Sequence, residues 1–117
     1  MRVSRKTKQK EILEELVEKE NSFFSAKELH KKAQKIDKDI GIATVYRFLK
    51  NEVSKLKLNS YICERRQVYS KQKTHCHFID EETGEITHFD IDSIDFLKNK
   101  VSGKINSINI EIKGRKE

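Results

Sequence analysis

Three of the four histidines, His75, His77 and His88, fall in one short stretch, HCHFIDEETGEITHF (His75 to Phe89), that also holds dense carboxylates. Neutral imidazole nitrogens suit Zn²⁺ or Fe²⁺ and disfavour Mg²⁺ or Ca²⁺, which want oxygen. In a β-like run, His75-x-His77 places both rings on one face, because strand side chains alternate with period two. The four residues Glu81-Glu82-Thr83-Gly84 form a good turn, which sets Asp80 opposite Glu85 and, in the same register, His77 opposite His88. His75, His77, His88 and Asp90 then share a face, with directly opposed Cβ atoms roughly 5 Å apart. A three-residue loop would turn His88 away, so the expectation depends on loop parity. Spacing alone leaves two readings open: a divalent-metal site, or three half-exposed strand histidines that hold nothing.

A second group of residues suits nucleic acid. Ala43, Tyr46, Arg47, Lys50 and Ser54 recur at i, i+3, i+4, i+7 and i+11, so on a helix they share one face. Beside a duplex, Arg47 could pair bidentately with a guanine edge and Tyr46 could pack on a thymine methyl or reach a phosphate. The alternative is a solvated face whose tyrosine snorkels. Arg65-Arg66 lies between two short β-rich runs, Tyr61 to Glu64 and Gln67 to Ser70, as the basic tip of a winged hairpin that would meet phosphates. Arg2, Arg5, Lys6, Lys8 and Lys10 read as a flexible basic arm.

These groups need elements to position them. Ile12, Leu13, Leu16 and Val17 make a narrow apolar stripe that predicts a first helix over Lys8 to Glu20. Ser25-Ala26-Lys27-Glu28 fits a capping box ahead of a second helix with Leu29, Ala33 and Ile36 inward. The break Asp37 to Gly41 leads to a third helix from Ile42, with Val45, Phe48, Leu49, Val53 and Leu56 inward. Three short helices followed by a hairpin form a helix-turn-helix candidate, with His30 structural or solvent-facing in the second helix. Beyond the histidine hairpin, a helix over 92–102 carries Ile94, Leu97 and Val101, and a half-buried strand over 105–113 alternates apolar with polar. The expected fold is α+β: a winged helix-turn-helix over residues 1–73 and a small αβ module over 74–117.

Composition agrees with a division of labour. The chain has 117 residues, 35% hydrophobic and 38% charged, so an isolated core is modest and self-association or a metal would add stability. Its net charge of +6 favours polyanions. That charge divides into +9 over residues 1–73 (19 Lys/Arg against 10 Asp/Glu) and −3 over 74–117 (6 against 9). No apolar run approaches the roughly 20 residues of a membrane span, and no signal-peptide core follows the N-terminus, so a cytoplasmic protein without membrane partners is expected. Cys63 and Cys76 fit neither a disulfide framework nor a four-thiolate zinc knuckle. Phosphate-loop, G-x-S-x-G and H-E-x-x-H signatures are absent, and no enzyme is expected.

The stretch IGIATVYRFL (Ile40 to Leu49), with SAKELH (Ser25 to His30), TKQK (Thr7 to Lys10) and the histidine stretch itself, resembles the ferric uptake regulator family of bacterial metal-dependent repressors. The resemblance implies a winged helix whose recognition helix carries Ala43, Thr44, Tyr46, Arg47 and Lys50 as DNA-contacting positions, joined by Lys8, Arg65 and Arg66. It implies that the αβ module over 74–117 is a dimerisation and metal-sensing domain, and that the protein is a homodimer on a double-stranded operator. It matches His75 and His77 to the family's H-x-H sensing ligands and sets His88 where relatives use Asp or Glu. Asp95 matches a carboxylate of a neighbouring metal site, although acid at a helix N-terminus is stabilising without any metal. The chain also departs from the pattern. Asp80 and Thr83 stand where relatives carry the cysteines of C-x-x-C-G, so the structural zinc cannot form there. The family's histidine before the second helix is lost near Phe23, and its carboxylate after the wing is Ser70, leaving water, Asp90 or nothing to fill those positions. Cys76 is assigned by parity to the apolar side, with Phe78 and Phe89.

The leading expectation is a homodimeric regulator, a repressor, whose geometry is set by one divalent metal, Fe²⁺ or Zn²⁺. A DNA-binding dimer that has lost metal control is the alternative. A small metal-dependent hydrolase, with Glu81 or Glu85 as base, is disfavoured for want of a cleft.

Overall fold

The structure is a computed structural model that describes residues 4–117; Arg2 lies outside the described residues. Helices and sheets are mixed in the order α1 (Arg5–Glu18), α2 (Ala26–Gln34), α3 (Ile42–Ser54), β1 (Asn59–Cys63), β2 (Arg66–Ser70), β3 (Thr74–Asp80), β4 (Ile86–Phe89), α4 (Asp95–Lys98) and β5 (Ile108–Gly114). Two compact units divide between Lys71 and Gln72.

In the first unit, the Ser4 hydroxyl accepts from the Thr7 amide at 3.1 Å and starts α1. Arg5, Lys6, Lys8 and Lys10 are therefore helical and not a flexible arm. Leu13 and Val17 turn inward from α1. The Ser25 hydroxyl caps α2 by accepting from the Glu28 amide at 3.2 Å, and it donates to the Glu28 carboxylate, so the box closes through side chains. Leu29 and Ala33 are fully buried, but α2 ends at Gln34 and the following turn leaves Ile36 exposed. Ile40 takes the core position that Ile36 does not. His30 has a structural bond: its Nε2 donates to the Ile40 carbonyl at 2.9 Å.

Val45, Phe48 and Leu49 carry the buried face of α3. Leu56 is exposed instead of inward, and Ile42 at the helix start is exposed too. Leu56 leaves the helix with φ 60, a left-handed conformation that turns its side chain outward, and Leu58 fills the core in its place. The hairpin turns at Glu64-Arg65, both at positive φ as a two-residue primed turn demands, while Arg66 pairs with Cys63 inside the ladder. The basic tip is thus one residue earlier than the sequence suggests. Phe24 and Tyr69 exchange backbone bonds of 3.0 and 2.8 Å, which fastens the turn before α2 to β2.

The second unit is a three-stranded sheet in the order β4-β3-β5. β3 and β4 are antiparallel, with His77 paired to His88; β5 runs parallel to β3, with His75 paired to Asn109 and His77 to Glu111. Between β4 and β5, the expected helix over 92–102 is only the single turn α4. Phe96 and Val101 are exposed, so no buried apolar stripe offsets the cost of nucleating a longer helix. The last strand starts at Ile108 and ends at Gly114, later than expected. Alternation places Cys76, Phe78, Phe89, Ile108, Ile110 and Ile112 on one face and His75, His77, His88, Asn109 and Glu111 on the other.

Asp80 closes the β3–β4 turn. Its carboxylate accepts from the Glu82 amide at 2.9 Å and the Thr83 amide at 3.3 Å, and Gly84 takes the required positive φ of 78. The Glu82 amide, first among several causes, holds this carboxyl below its ordinary value of 3.8. A depressed carboxyl stabilises above its unfolded value and loses that contribution as pH falls through its folded value. Asp80→Ala is accordingly expected to lower the denaturation midpoint at neutral pH, as the two amides lose their acceptor. The difference from the parent chain should shrink as pH drops below about 3.8, where the parent loses the same contribution.

Candidate metal centre and nucleic-acid interface

Strand periodicity and hairpin register bring three imidazoles together. Ring centroids are 5.0 Å apart for His75 and His77, 5.3 Å for His75 and His88, and 5.8 Å for His77 and His88. One ring nitrogen from each lies within 4.8 Å of the others. His75 and His77 are buried and His88 is exposed, so the cluster has a solvent side. Donors of a tetrahedral Zn²⁺ at about 2.0–2.1 Å lie roughly 3.4 Å apart. Three neutral nitrogen donors with an open side also fit Fe²⁺, so the donor set suits a divalent transition metal.

The parallel strand supplies partners that the sequence did not reveal. His75 Nδ1 lies 2.7 Å from Asn109 Oδ1, and His77 Nε2 lies 3.0 Å from Glu111 Oε1. The bond from His77 is the leading reason that the Glu111 carboxyl sits below its ordinary value of 4.5. The clue in the sequence was the polar half of the alternating run Ser107 to Ile112. Its pairing with β3 is a long-range parallel register, which no local pattern specifies.

The carboxylates named with the histidines stand elsewhere. Asp90 follows the end of β4, is exposed and is not in the convergent group. Asp95 opens α4 and pairs with Lys98 at 2.9 Å, the main cause that lowers its carboxyl below 3.8. Its environment is that of a helix start and an ion pair. Cys76 occupies the opposite, apolar face of the sheet, 2% exposed, and burial pushes its thiol up, which keeps it protonated and poorly reactive.

The basic unit presents the second group on α3. Ala43, Tyr46, Arg47, Lys50 and Ser54 are all exposed, and Thr44 is half-buried beside them. Arg47 Nη2 donates to Thr44 Oγ1 at 3.3 Å, a weak exposed bond that leaves most of the guanidinium fork available. Tyr46 is 46% exposed on this polar face. Lys8 stands exposed on a separate helix, α1, and Arg65 and Arg66 are exposed at the end of the β1–β2 hairpin. Such a surface can contact base edges through a helix and phosphates through a hairpin.

Residues 1–113 match the ferric uptake regulator family. The ferric uptake regulation protein of Vibrio cholerae is 32% identical over 98 residues, which cover 81% of this chain and 65% of that protein. The chain thus spans about two-thirds of that relative's length. Among solved structures, the Vibrio cholerae ferric uptake regulator superposes with a TM-score of 0.57 at 26% identity, over 99% of this chain and 92% of its own. The Helicobacter pylori regulator, described as having three functional metal-binding sites, gives 0.68 at 20% identity over 97% and 82%, a likeness of fold. Among the described residues, no helix is long and apolar enough to cross a membrane. With the family match spanning both units, the chain belongs to the ferric uptake regulator family.

Proposed function

We propose that this protein is a cytoplasmic, homodimeric transcriptional repressor that binds a specific DNA operator under the control of one divalent metal, Fe²⁺ or Zn²⁺. The observation that carries the reading is the convergence of three imidazole nitrogens within 4.8 Å in a chain of this family.

In this reading residues up to Lys71 are a winged helix, with α3 as recognition helix and the β1–β2 hairpin as wing. Tyr46 and Arg47 read base edges, with Ala43, Thr44 and Lys50 close to the groove. Lys8, Arg65 and Arg66 hold phosphates. The unit from Gln72 on dimerises, and exposed Phe96, Val101 and Ile112 supply apolar surface for a second copy to cover. His75, His77 and His88 hold the metal, which supplies a cationic centre that locks the three rings in one arrangement. Loss or gain of that arrangement shifts the dimer between states with different operator affinity, which couples the two sites by linkage. A regulator of this kind needs no catalytic group.

A second reading, a DNA-binding dimer of the same fold without metal control, draws on one observation: neither Asp90 nor Asp95 adds a carboxylate to the histidines. Metal stoichiometry separates the two. Stripped protein loaded with Zn²⁺ and desalted should retain one ion per chain, and His88→Ala should retain none; no retention by the parent chain would favour the second reading. The wing has its own test. Arg66→Ala should weaken binding to all duplexes alike and reduce the slope of log affinity against log salt by about 1. A loss confined to one sequence would assign Arg66 to base readout instead.

A further inference from the structure

We infer that Asn109 and Glu111 of β5 are positioning residues for the histidine cluster: each fixes the tautomer of one imidazole and so selects the ring nitrogen that faces a divalent metal. The inference rests on the metal-binding reading above and adds two residues from a strand that supplies no ligand in it.

The parallel register sets Asn109 beside His75 and Glu111 beside His77, on the face that carries all three histidines. The contacts are short, 2.7 Å from His75 Nδ1 to Asn109 Oδ1 and 3.0 Å from His77 Nε2 to Glu111 Oε1. A carbonyl or carboxylate oxygen only accepts, so the facing ring nitrogen must carry the proton. His75 is then the Nδ1–H tautomer with its lone pair on Nε2, and His77 is the Nε2–H tautomer with its lone pair on Nδ1. Opposite nitrogens are thereby selected on two rings that stand edge to face at 90°.

Glu111 acts on His77 from outside the cluster. Its carboxylate is not part of the convergent donor group, its side chain is 47% exposed, and its second oxygen lies 3.8 Å from Lys113 Nζ. An ionised acceptor behind an imidazole raises the basicity of the nitrogen on the far side, and the neutral Asn109 amide does so less. Because β5 pairs with β3 and not with β4, this support reaches His75 and His77 but not His88. The arrangement is a rigid pair of rings on the central strand and a third ring on the exposed strand.

Two measurements test it. Long-range ¹H–¹⁵N correlation spectra of the metal-free full chain, at alkaline pH where a free imidazole is neutral, read the tautomers without any substitution. His75 should be protonated on Nδ1 and His77 on Nε2; the opposite tautomer at either residue overturns the inference. Zn²⁺ affinity is then measured by competition with a chromophoric chelator. Asn109→Ala and Glu111→Ala should each weaken binding about ten- to a hundredfold. Glu111→Gln keeps an acceptor oxygen and should recover most of that loss. A Gln variant as weak as the Ala variant would make Glu111 a ligand and sink the positioning role. If His88→Ala weakens binding while the β5 variants bind as the parent does, the inference fails and the metal site stands. If His88→Ala also binds as the parent does, the metal reading itself has failed.

Discussion

Replacing Tyr46 and Arg47 together with alanine is expected to weaken binding to duplex sites selected from a random library by about 30- to 30,000-fold. Each base-edge contact of this kind is worth about 1–3 kcal/mol of discrimination, and the two side chains sit one turn from the start of α3. Binding to random duplex should change by less than about tenfold, because phosphate neutralisation by the remaining basic residues supplies that term. Both side chains are exposed and Val45, Phe48 and Leu49 carry the buried face, so the double variant should keep its fold. Competition binding at constant salt checks the expectation. Equal losses on selected and random duplex would remove α3 from base readout.

Truncation of the histidines has the second large effect. His88→Ala should lower Zn²⁺ affinity at least about 100-fold, at or beyond the upper limit expected for loss of a supporting partner. His88 is exposed, so its removal opens no cavity and the melting temperature of the metal-free chain should stay within a few degrees of the parent's. His77→Ala should lose as much affinity and also stability, because a 2% exposed side chain is removed and the Glu111 carboxylate loses its donor. Calorimetric titration beside thermal melts separates the two consequences. A His88→Ala chain with parental Zn²⁺ affinity would show that the ring does not ligate.

Local signals in the sequence were enough for much of this. The capping box at Ser25, the inward faces of α2 and α3 and the odd-parity hairpin that sets His77 against His88 follow from patterns a few residues long. Where expectation failed, a local pattern met a non-local or boundary constraint. Ile36 and Leu56 fit a helical stripe, yet each lies just past a helix end, where Ile40 and Leu58 reach the core instead. The spacing of Ile94, Leu97 and Val101 suggested a full helix, but Phe96 and Val101 find too little to bury against, and one turn remains. Asn109 and Glu111 escaped notice because their place beside His75 and His77 depends on a parallel pairing across more than thirty residues. The exposed face of α3 was legible because a tyrosine and an arginine on an otherwise polar helix face have few structural duties, and the structure leaves both exposed.

In the proposed function, the histidine cluster controls DNA affinity. One preparation of the full chain, at fixed salt, is bound to a selected duplex site with saturating Zn²⁺ or Fe²⁺ and again with excess chelator. Coupling of this kind is typically 5- to 150-fold, and a metal-dependent difference in that range, absent in His88→Ala, is the expected result. Identical affinity in metal and in chelator would contradict metal control and leave a DNA-binding dimer whose histidines serve another purpose.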